Sequence, residues 1–320
     1  MSEFELIQHY FTGRQPAHAA VTLGIGDDCA VLTPRAGTQL AISTDMLVAG
    51  RHFFADADAR LLGHKSLAVN LSDLAAMGAQ PRAFTLALAL PEIVPDWLEG
   101  FSTGLFALAN QFDCQLIGGD TTKGPLTVCI TVFGELLDGQ GFRRAAARVE
   151  DDIWISGTIG DARLALAGYL RQQNLAVPVL NAAATRLHQP SPRVALGLAL
   201  RGIAHAAIDI SDGLAGDLGH VLTRSRLGAT LWCDALPFGA ALLTQAQELR
   251  RDYALNGGDD YELCFTAPQS RRADVLNAAQ ASATRVTRVG VIEAVPGLRL
   301  LDASDCQLDL PIHSFDHFKS

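Results

Sequence analysis

Aspartates follow glycine-rich turns at two places in this sequence, and at both places two of them are adjacent. Residues 23–28 read LGIGDD and residues 257–260 read GGDD. Adjacent carboxylates about 4 Å apart repel each other by roughly 4 kcal/mol at the effective dielectric constant of a protein surface. A divalent cation removes this repulsion, and carboxylate oxygens are ligands that Mg²⁺ prefers. A single such stretch is more typical of a solvated turn between strands, so its meaning depends on recurrence.

The pattern recurs, which favours a common site. Asp45 ends the run 42–45 (ISTD), Asp120 follows two glycines in 116–122 (LIGGDTT), and 208–214 reads IDISDGL. We therefore predict five loops of one design, because mixed α/β proteins place their chemistry in loops at strand ends. Converging carboxylates would form a cage for two or more Mg²⁺ ions that bridge to phosphates. Such a cage is typical of phosphoryl transfer, in which cations spread the developing charge.

Apolar periodicity predicts the elements that position these aspartates. A helix over 61–77 carries an apolar stripe and beside it a polar stripe that contains Ser66, Asn70 and Asp73. Asp73 is either a sixth acidic member of the site or a buried structural carboxylate. The other predicted helices are 4–11, 97–112, 214–224 and one that begins near residue 161. The predicted strands are 30–32, 39–45, 84–90, 115–117, 126–134, 153–156, 206–210, 263–266, 286–292 and 298–301, and residues 174–192 are predicted to contain a loop and a helix.

Length and composition bound the class of protein. With 320 residues, 49% of them hydrophobic, the chain is long enough for two domains, which we place at 1–147 and 148–320. The predicted fold class is α+β. A net charge of −9 without any basic run excludes a nucleic-acid footprint. The six cysteines lack C-x-x-C spacing, and no signal peptide or membrane-length apolar run is recognisable, so we expect a cytoplasmic protein.

Familiar phosphate-binding and catalytic motifs are missing from the sequence. Residues 63–66 (GHKS) lack the first half of a P-loop, and the protein-kinase motifs are absent. The strand-to-helix turn 157–161 (GTIGD) suits either a phosphate cradle or an ordinary tight connection. A nucleotide would therefore be held mainly through metal ions.

Six motifs in collinear order carry a resemblance to a known family. They are LGIGDDC (23–29), ISTD (42–45) with His52, AVNLSDLAAMG (68–78), LIGGDTT (116–122), IDISDGL (208–214) and GGDDYELCF (257–265). Over essentially its whole length the chain resembles the thiamine-monophosphate kinase family. That family belongs to a superfamily with aminoimidazole ribonucleotide synthetase and selenophosphate synthetase, and the third and sixth motifs favour the kinase branch.

The resemblance implies an activity and an assembly. ATP and thiamine monophosphate would give thiamine diphosphate and ADP by direct in-line transfer of the γ-phosphoryl group, with several Mg²⁺ ions and no covalent intermediate. It also implies a homodimer in which β-sheets of the N-terminal domains, each a half-barrel with helices, join into a shared barrel. The C-terminal domain would be an α+β layer that completes the active site.

The resemblance also implies roles for individual residues. The implied metal ligands are Asp28, Ser43, Thr44, Asp45, Asp73, Asp120, Asp209 and Asp212, of which Asp45, Asp120 and Asp212 are the implied catalytic residues. The implied nucleotide contacts are Gly119, Asp120, Arg144 and Ser211. The implied thiamine-phosphate contacts are His52, Glu262 and Phe315. Alternatives stay open at three positions: Asp27 beside Asp28, Arg143 or Arg148 for Arg144, and Phe318 for Phe315.

Two other hypotheses compete with the kinase. The first is another ATP-using enzyme of the same superfamily that acts on a different phosphate or carbonyl acceptor. The second is a protein that binds Mg²⁺ and nucleotide without turnover, in which the aspartates only stabilise a dimer.

Overall fold

The computed structural model describes residues 2–313 and divides the chain into two compact units. One unit contains residues up to 74 together with 79–139, and the other contains 75–78 and the chain from residue 140 onward. Each unit combines a β-sheet with helices, which confirms the predicted α+β class and the presence of two domains. The predicted domain ranges 1–147 and 148–320 stay a prediction.

The first unit is built on a four-stranded sheet with the strand order β3-β6-β4-β5. Strands β4 and β5 are parallel, and the other pairs are antiparallel. A separate two-stranded ribbon pairs β1 with β2. The elements along this part of the chain are α1 Glu3–Tyr10, β1 Val21–Leu23, β2 Val31–Leu32, β3 Thr38–Val48, α2 Ala59–Met77, β4 Gln80–Leu90, α3 Pro95–Gln111, β5 Gln115–Lys123 and β6 Thr127–Leu137.

The two faces of this sheet differ in exposure. On one face Phe84 and Leu88 of β4 are fully buried, and Leu74 of α2 lies against Gly134 of β6. On the other face Ile42 and Met46 of β3 are 59% and 56% exposed. A sheet with one covered face shows this alternation along each strand, because successive side chains point to opposite sides.

Helices α2 and α3 pack at glycines. A Cβ atom on Gly63 would lie 2.1 Å from the carbonyl oxygen of Phe101, and one on Gly104 would lie 1.9 Å from the carbonyl oxygen of Arg60. Only glycine permits this approach of two helix backbones. Gly63 of the P-loop-like segment 63–66 therefore serves helix packing inside α2.

The second unit is built on a six-stranded sheet with the order β12-β9-β11-β7-β10-β8. All neighbours are antiparallel except β12 and β9. Its core joins Ile153 and Ile155 of β7 to Leu214 and Leu218 of α7. The elements are β7 Asp151–Ser156, α4 Asp161–Tyr169, α5 Val177–His188, α6 Val194–Ala199, β8 Ala206–Asp209, α7 Leu214–Ser225, β9 Gly228–Trp232, α8 Gln247–Asn256, β10 Leu263–Pro268, α9 Arg272–Ala281, β11 Val286–Glu293 and β12 Gly297–Leu301.

In two of the five predicted acidic loops the aspartate lies inside a strand. Strand β3 continues past Asp45, the predicted end of its strand, to Val48, and Asp120 lies inside β5. Strand β5 continues through its two glycines because Gly118 pairs with Thr85 and Gly119 pairs with Leu86. A Cβ atom on Gly119 would lie 1.8 Å from the carbonyl oxygen of Leu86, so glycine is required by the close strand pairing and not by a turn.

Within residues 2–313 no helix is both long enough and apolar enough to cross a bilayer.

Candidate functional site

In the first unit the polar stripe of α2 faces strand β3. Ser43 donates a hydrogen bond from its hydroxyl to Oδ2 of Asp73. The backbone N–H of Asp45 donates to Oδ1 of Asn70 at 3.1 Å. Ser43 and Asp45 are two residues apart on one face of β3. Their partners Asp73 and Asn70 are about one turn apart on α2, so the two contacts lie side by side between the same two elements.

Thr44 and Asp120 lie on the opposite face of the sheet. Thr44 pairs with Thr131, and their hydroxyl oxygens are 2.9 Å apart. Asp120 is exposed and stands in a row across the strands with Ala87, Cys129 and Met46. Met46 is two residues from Thr44 and shares its face. Within the first unit, the structure therefore places Ser43 and Asp45 on one face of the sheet and Thr44 and Asp120 on the other.

Asp28 and His52 lie in connecting segments of the first unit. Asp28 is exposed between β1 and β2. His52 follows β3, and its Nδ1 accepts a hydrogen bond from the backbone N–H of Val48 at 3.0 Å. Because Nδ1 is the acceptor, the neutral ring carries its proton on Nε2.

In the second unit Asp209, Ser211 and Asp212 lead from β8 into α7. The backbone N–H groups of Ser211 and Asp212 donate to Oδ2 of Asp217 at 3.0 and 3.1 Å. Asp217 is buried, and this burial, with a further contribution from the charge of Asp212, raises its pKa to about 7. An internal carboxylate thus binds the amides that precede α7 and fixes the loop that carries the implied ligands.

Arg144 lies beside α7. It begins a short 3₁₀ turn, and its carbonyl oxygen accepts a hydrogen bond from the Ser225 hydroxyl at 2.9 Å. The Arg144 guanidinium partly offsets the burial of Asp217 and so acts to lower the pKa of that carboxyl. The implied nucleotide contacts Arg144 and Ser211 therefore both associate with Asp217.

Glu262 is fully buried in a cluster with two arginines. Its carboxylate accepts hydrogen bonds from Arg186 Nη2 at 2.7 Å, from Arg193 Nε at 2.6 Å and from the Ser156 hydroxyl at 2.5 Å. A second N–H of Arg193 also donates to it, which makes that pair bidentate. The implied substrate contact thus has its carboxylate engaged inside the protein.

The turn 157–161, considered above as a phosphate cradle, already holds a carboxylate. The backbone N–H of Gly160 donates to both oxygens of Asp260, at 2.9 and 3.0 Å. Asp260 is fully buried, and the loss of solvent raises its pKa well above the usual range. The ordinary tight connection is therefore the interpretation that the structure supports.

The two acidic motifs of the second unit are joined through their backbones. The N–H of Asp259 donates to the carbonyl oxygen of Ser211 at 2.9 Å, and that of Tyr261 donates to Ile210 at 2.8 Å. Strands β8 and β10 are neighbours, with Leu263 paired with Asp209. The residues around 209–212 and 257–262 are thus neighbours in the second unit.

Among the described residues, no three His, Cys, Asp or Glu side chains stand close enough together to hold a metal ion by themselves. The implied ligands offer hydroxyl and carboxylate oxygens, the donor chemistry of Mg²⁺, which commonly keeps waters and phosphate oxygens in its coordination shell. The implied ligands therefore fit a Mg²⁺ ion whose remaining ligands are waters and phosphate oxygens. The implied contact Phe315 and its alternative Phe318 lie outside the described residues.

Sequence reasoning did not single out Asp217, Arg186 or Arg193. Asp217 follows the SDG turn by a few residues, and a carboxylate in the first turn of a helix is a usable signal for amide capping. The arginines are far from Glu262 in sequence, so only the fold reveals their pairing.

Comparison with known proteins agrees with this architecture. Residues 26–136 match the family model "AIR synthase related protein, N-terminal domain", and residues 148–303 match "AIR synthase related protein, C-terminal domain". Thiamine-monophosphate kinase of Salmonella typhimurium is 45% identical over 324 aligned positions, which cover 99% of this chain and 98% of the relative.

Solved structures show the same likeness. A crystal structure of thiamine-monophosphate kinase from Stenotrophomonas maltophilia has a TM-score of 0.87 and 46% identity, covering 94% of this chain and 96% of that one. AaThiL complexed with AMPPCP and TMP has a TM-score of 0.78 and 27% identity, covering 89% of each chain.

Proposed function

Because this chain belongs to the thiamine-monophosphate kinase family, we propose that it transfers the γ-phosphoryl group of ATP to thiamine monophosphate, giving thiamine diphosphate and ADP. The observation that carries the proposal is 45% identity to enzymes of that name over 99% of the chain. The ligands of AaThiL support it further, since AMPPCP is a non-hydrolysable analogue of ATP and TMP is the acceptor.

The proposed transfer is direct and in line, with several Mg²⁺ ions. Mg²⁺ held by the residues named next would supply positive charge that offsets the repulsion between the phosphate groups of the two substrates. The proposed ligands are Asp28, Ser43, Thr44, Asp45, Asp73, Asp120, Asp209 and Asp212, with Asp45, Asp120 and Asp212 as catalytic residues. More than one ion is favoured because Thr44 and Asp120 lie on the opposite face of the sheet from Ser43 and Asp45.

The remaining site residues bind the two substrates. In this proposal the nucleotide is contacted by Gly119, Asp120, Arg144 and Ser211. The backbone N–H of Ser211 does not bind the nucleotide, because it already donates a hydrogen bond to Asp217. His52, Glu262 and Phe315 belong to the thiamine-phosphate site. Since four donors already engage its carboxylate, Glu262 acts there by holding Arg186 and Arg193.

The proposed assembly is a homodimer formed through the first unit. Its support is the open face of the four-stranded sheet, which presents Leu40, Ile42 and Met46 with exposures of 40%, 59% and 56%. These three side chains flank Thr44 on one face of β3, and grouped exposed apolar side chains mark interaction surfaces. A cytoplasmic location is proposed as well, because all six cysteines are free thiols, as is usual in a reducing compartment.

The decisive experiment mixes the purified protein with ATP, MgCl₂ and thiamine monophosphate and follows products by ³¹P NMR. Thiamine diphosphate and ADP should form in equal amounts, and EDTA should stop their formation. Unphosphorylated thiamine serves as the control acceptor and should give no product. Bound ATP in calorimetry without any thiamine diphosphate would refute the kinase and favour a binding protein.

A second measurement tests direct transfer. Labelled ADP should not exchange into ATP when thiamine monophosphate is absent, because no phosphorylated enzyme forms. Exchange under that condition would contradict in-line transfer while leaving the overall reaction intact.

A further inference from the structure

Strand β3 is an edge strand of the described sheet. It pairs with β6 alone, in the order β3-β6-β4-β5. In such a strand alternate backbone N–H groups point away from the neighbouring strand and need another partner. The N–H of Asp45 finds this partner in the side chain of Asn70, at 3.1 Å.

Asn70 is itself held firmly. Its side chain is only 1% exposed, and its Nδ2 donates to the carbonyl oxygen of Ser66 at 3.0 Å, one turn earlier in α2. This bond orients the amide so that Oδ1 faces β3. A buried amide with both ends engaged is a fixed acceptor, and it defines where the backbone of Asp45 must lie.

A second contact between the same two elements strengthens this interpretation. Ser43 bonds to Asp73, and both residues are proposed metal ligands. Asn70, by contrast, has no assigned role in the reaction. Two residues of α2 therefore hold this part of β3 in place, namely Asn70 and Asp73. Only Asp73 is itself a proposed metal ligand.

We propose that Asn70 is a positioning residue that fixes Asp45 against α2, so that the Asp45 carboxylate is presented in the geometry that Mg²⁺-dependent transfer requires. This rests on the proposed function in one respect only, namely that Asp45 is a metal ligand. The hydrogen bond itself and its effect on β3 are independent of any activity.

The test compares Asn70→Ala with the matched control Ser66→Ala. Ser66 lies on the same stripe, is equally buried, and donates from its hydroxyl to the carbonyl oxygen of Leu62, one turn earlier in the same helix. Removing Asn70 should raise the Mg²⁺ concentration for half-maximal activity about tenfold, the size expected for losing one hydrogen bond that orients a charged group. The control should keep the wild-type Mg²⁺ dependence even where its melting temperature falls equally.

Hydrogen exchange supplies a readout that needs no catalysis. The Asp45 amide of the wild-type protein should exchange slowly although it faces away from β6, and Asn70→Ala should speed its exchange at least tenfold without changing the rest of β3. Fast exchange of this amide in the wild type would overturn the proposal, even if the variant fails to fold.

Other outcomes separate the two proposals. An unchanged Mg²⁺ dependence of Asn70→Ala, or an equal change in Ser66→Ala, would overturn the positioning role. A wild-type protein that makes no thiamine diphosphate but protects the Asp45 amide would refute the proposed function and leave the Asn70–Asp45 bond standing.

Discussion

Glu262 combines complete burial with a charge imbalance, because one carboxylate faces two guanidinium groups. Removing one partner of a buried ion pair is far more costly than losing an exposed pair. Glu262→Gln should therefore destabilise the protein by about 3 kcal/mol, which corresponds to a melting temperature lower by roughly 6–12 °C.

Differential scanning calorimetry measures this change, and Glu248→Gln on the exposed side of α8 is the matched control that should stay within about 1–2 °C of wild type. A Glu262→Gln protein of wild-type stability whose KM for thiamine monophosphate rises would show instead that the carboxylate faces the substrate.

Asp260 gives a pH-dependent stability whose sign can be stated. Burial raises the pKa of its carboxyl in the folded chain, so between about pH 4 and that raised pKa the folded state binds more protons than the unfolded state. This group therefore lowers stability as pH rises through that window. In Asp260→Asn the contribution is absent, and the melting temperature of the variant relative to wild type should increase between pH 5 and pH 8. Parallel pH profiles of the two proteins would show that Asp260 is ionised when folded.

At the scale of elements, buried aspartates accept consecutive backbone amides at two places in the second unit. Asp217 binds those of Ser211 and Asp212, and Asp161 binds those of Ala241 and Leu242. The two aspartates are thus a matched pair, but only the loop held by Asp217 carries proposed ligands. Replacing either by alanine should lower the melting temperature by a few degrees, since buried amides lose their acceptor.

Only Asp217→Ala should also raise the KM for ATP, by about tenfold, whereas Asp217→Asn, which keeps an acceptor oxygen, should recover most of the loss. Steady-state kinetics at fixed free Mg²⁺ measure both. An equal rise in KM for Asp161→Ala would attribute the effect to general loosening of the unit.

Helices and strands with a regular pattern of apolar residues were predictable from the sequence. Features that depend on pairing between distant strands were not. The predicted helix 61–77 corresponds to α2 (Ala59–Met77), which is buried on nearly all sides. Asp120 was wrongly predicted in a turn because the two glycines before it resemble one, while strand pairing keeps it in β5. Asp45 was predicted as the end of a strand, but β3 continues past it to Val48. Helix α8 escaped prediction since its residues are mostly polar.

The candidate site was predictable to the same degree. Residue types and motif order indicated the acidic groups, but the supporting contacts depend on which elements become neighbours. Asn70 and Asp73 were recognised as one polar stripe, yet the partner of Asn70 is a backbone N–H of an edge strand, which no side-chain pattern reports. Likewise the engagement of Glu262 by Arg186 and Arg193 follows from the packing around β10.

For the whole molecule, charge makes cations necessary to the proposed reaction. The chain carries a net charge of −9, and both proposed substrates are anions. Like charges of this size oppose association unless they are screened or neutralised. Arg144 is the one positive side chain in the proposed nucleotide site, so we expect the acidic residues proposed as metal ligands to favour phosphate binding once they hold Mg²⁺.

The open sheet face of the first unit makes the assembly testable at the same scale. Ile42 lies on this face and is 59% exposed, so a charge placed there would be harmless in a monomer but would be buried without a partner in the proposed dimer. At micromolar concentration, light scattering should show that Ile42→Lys is a monomer. The variant should still melt in a cooperative transition, as a folded protein does. Val177→Lys on α5, where the side chain is 69% exposed, is the control and should remain dimeric. A monomeric wild-type protein would refute the proposed dimer. An Ile42→Lys protein that still dimerises would show that a different surface joins the two copies.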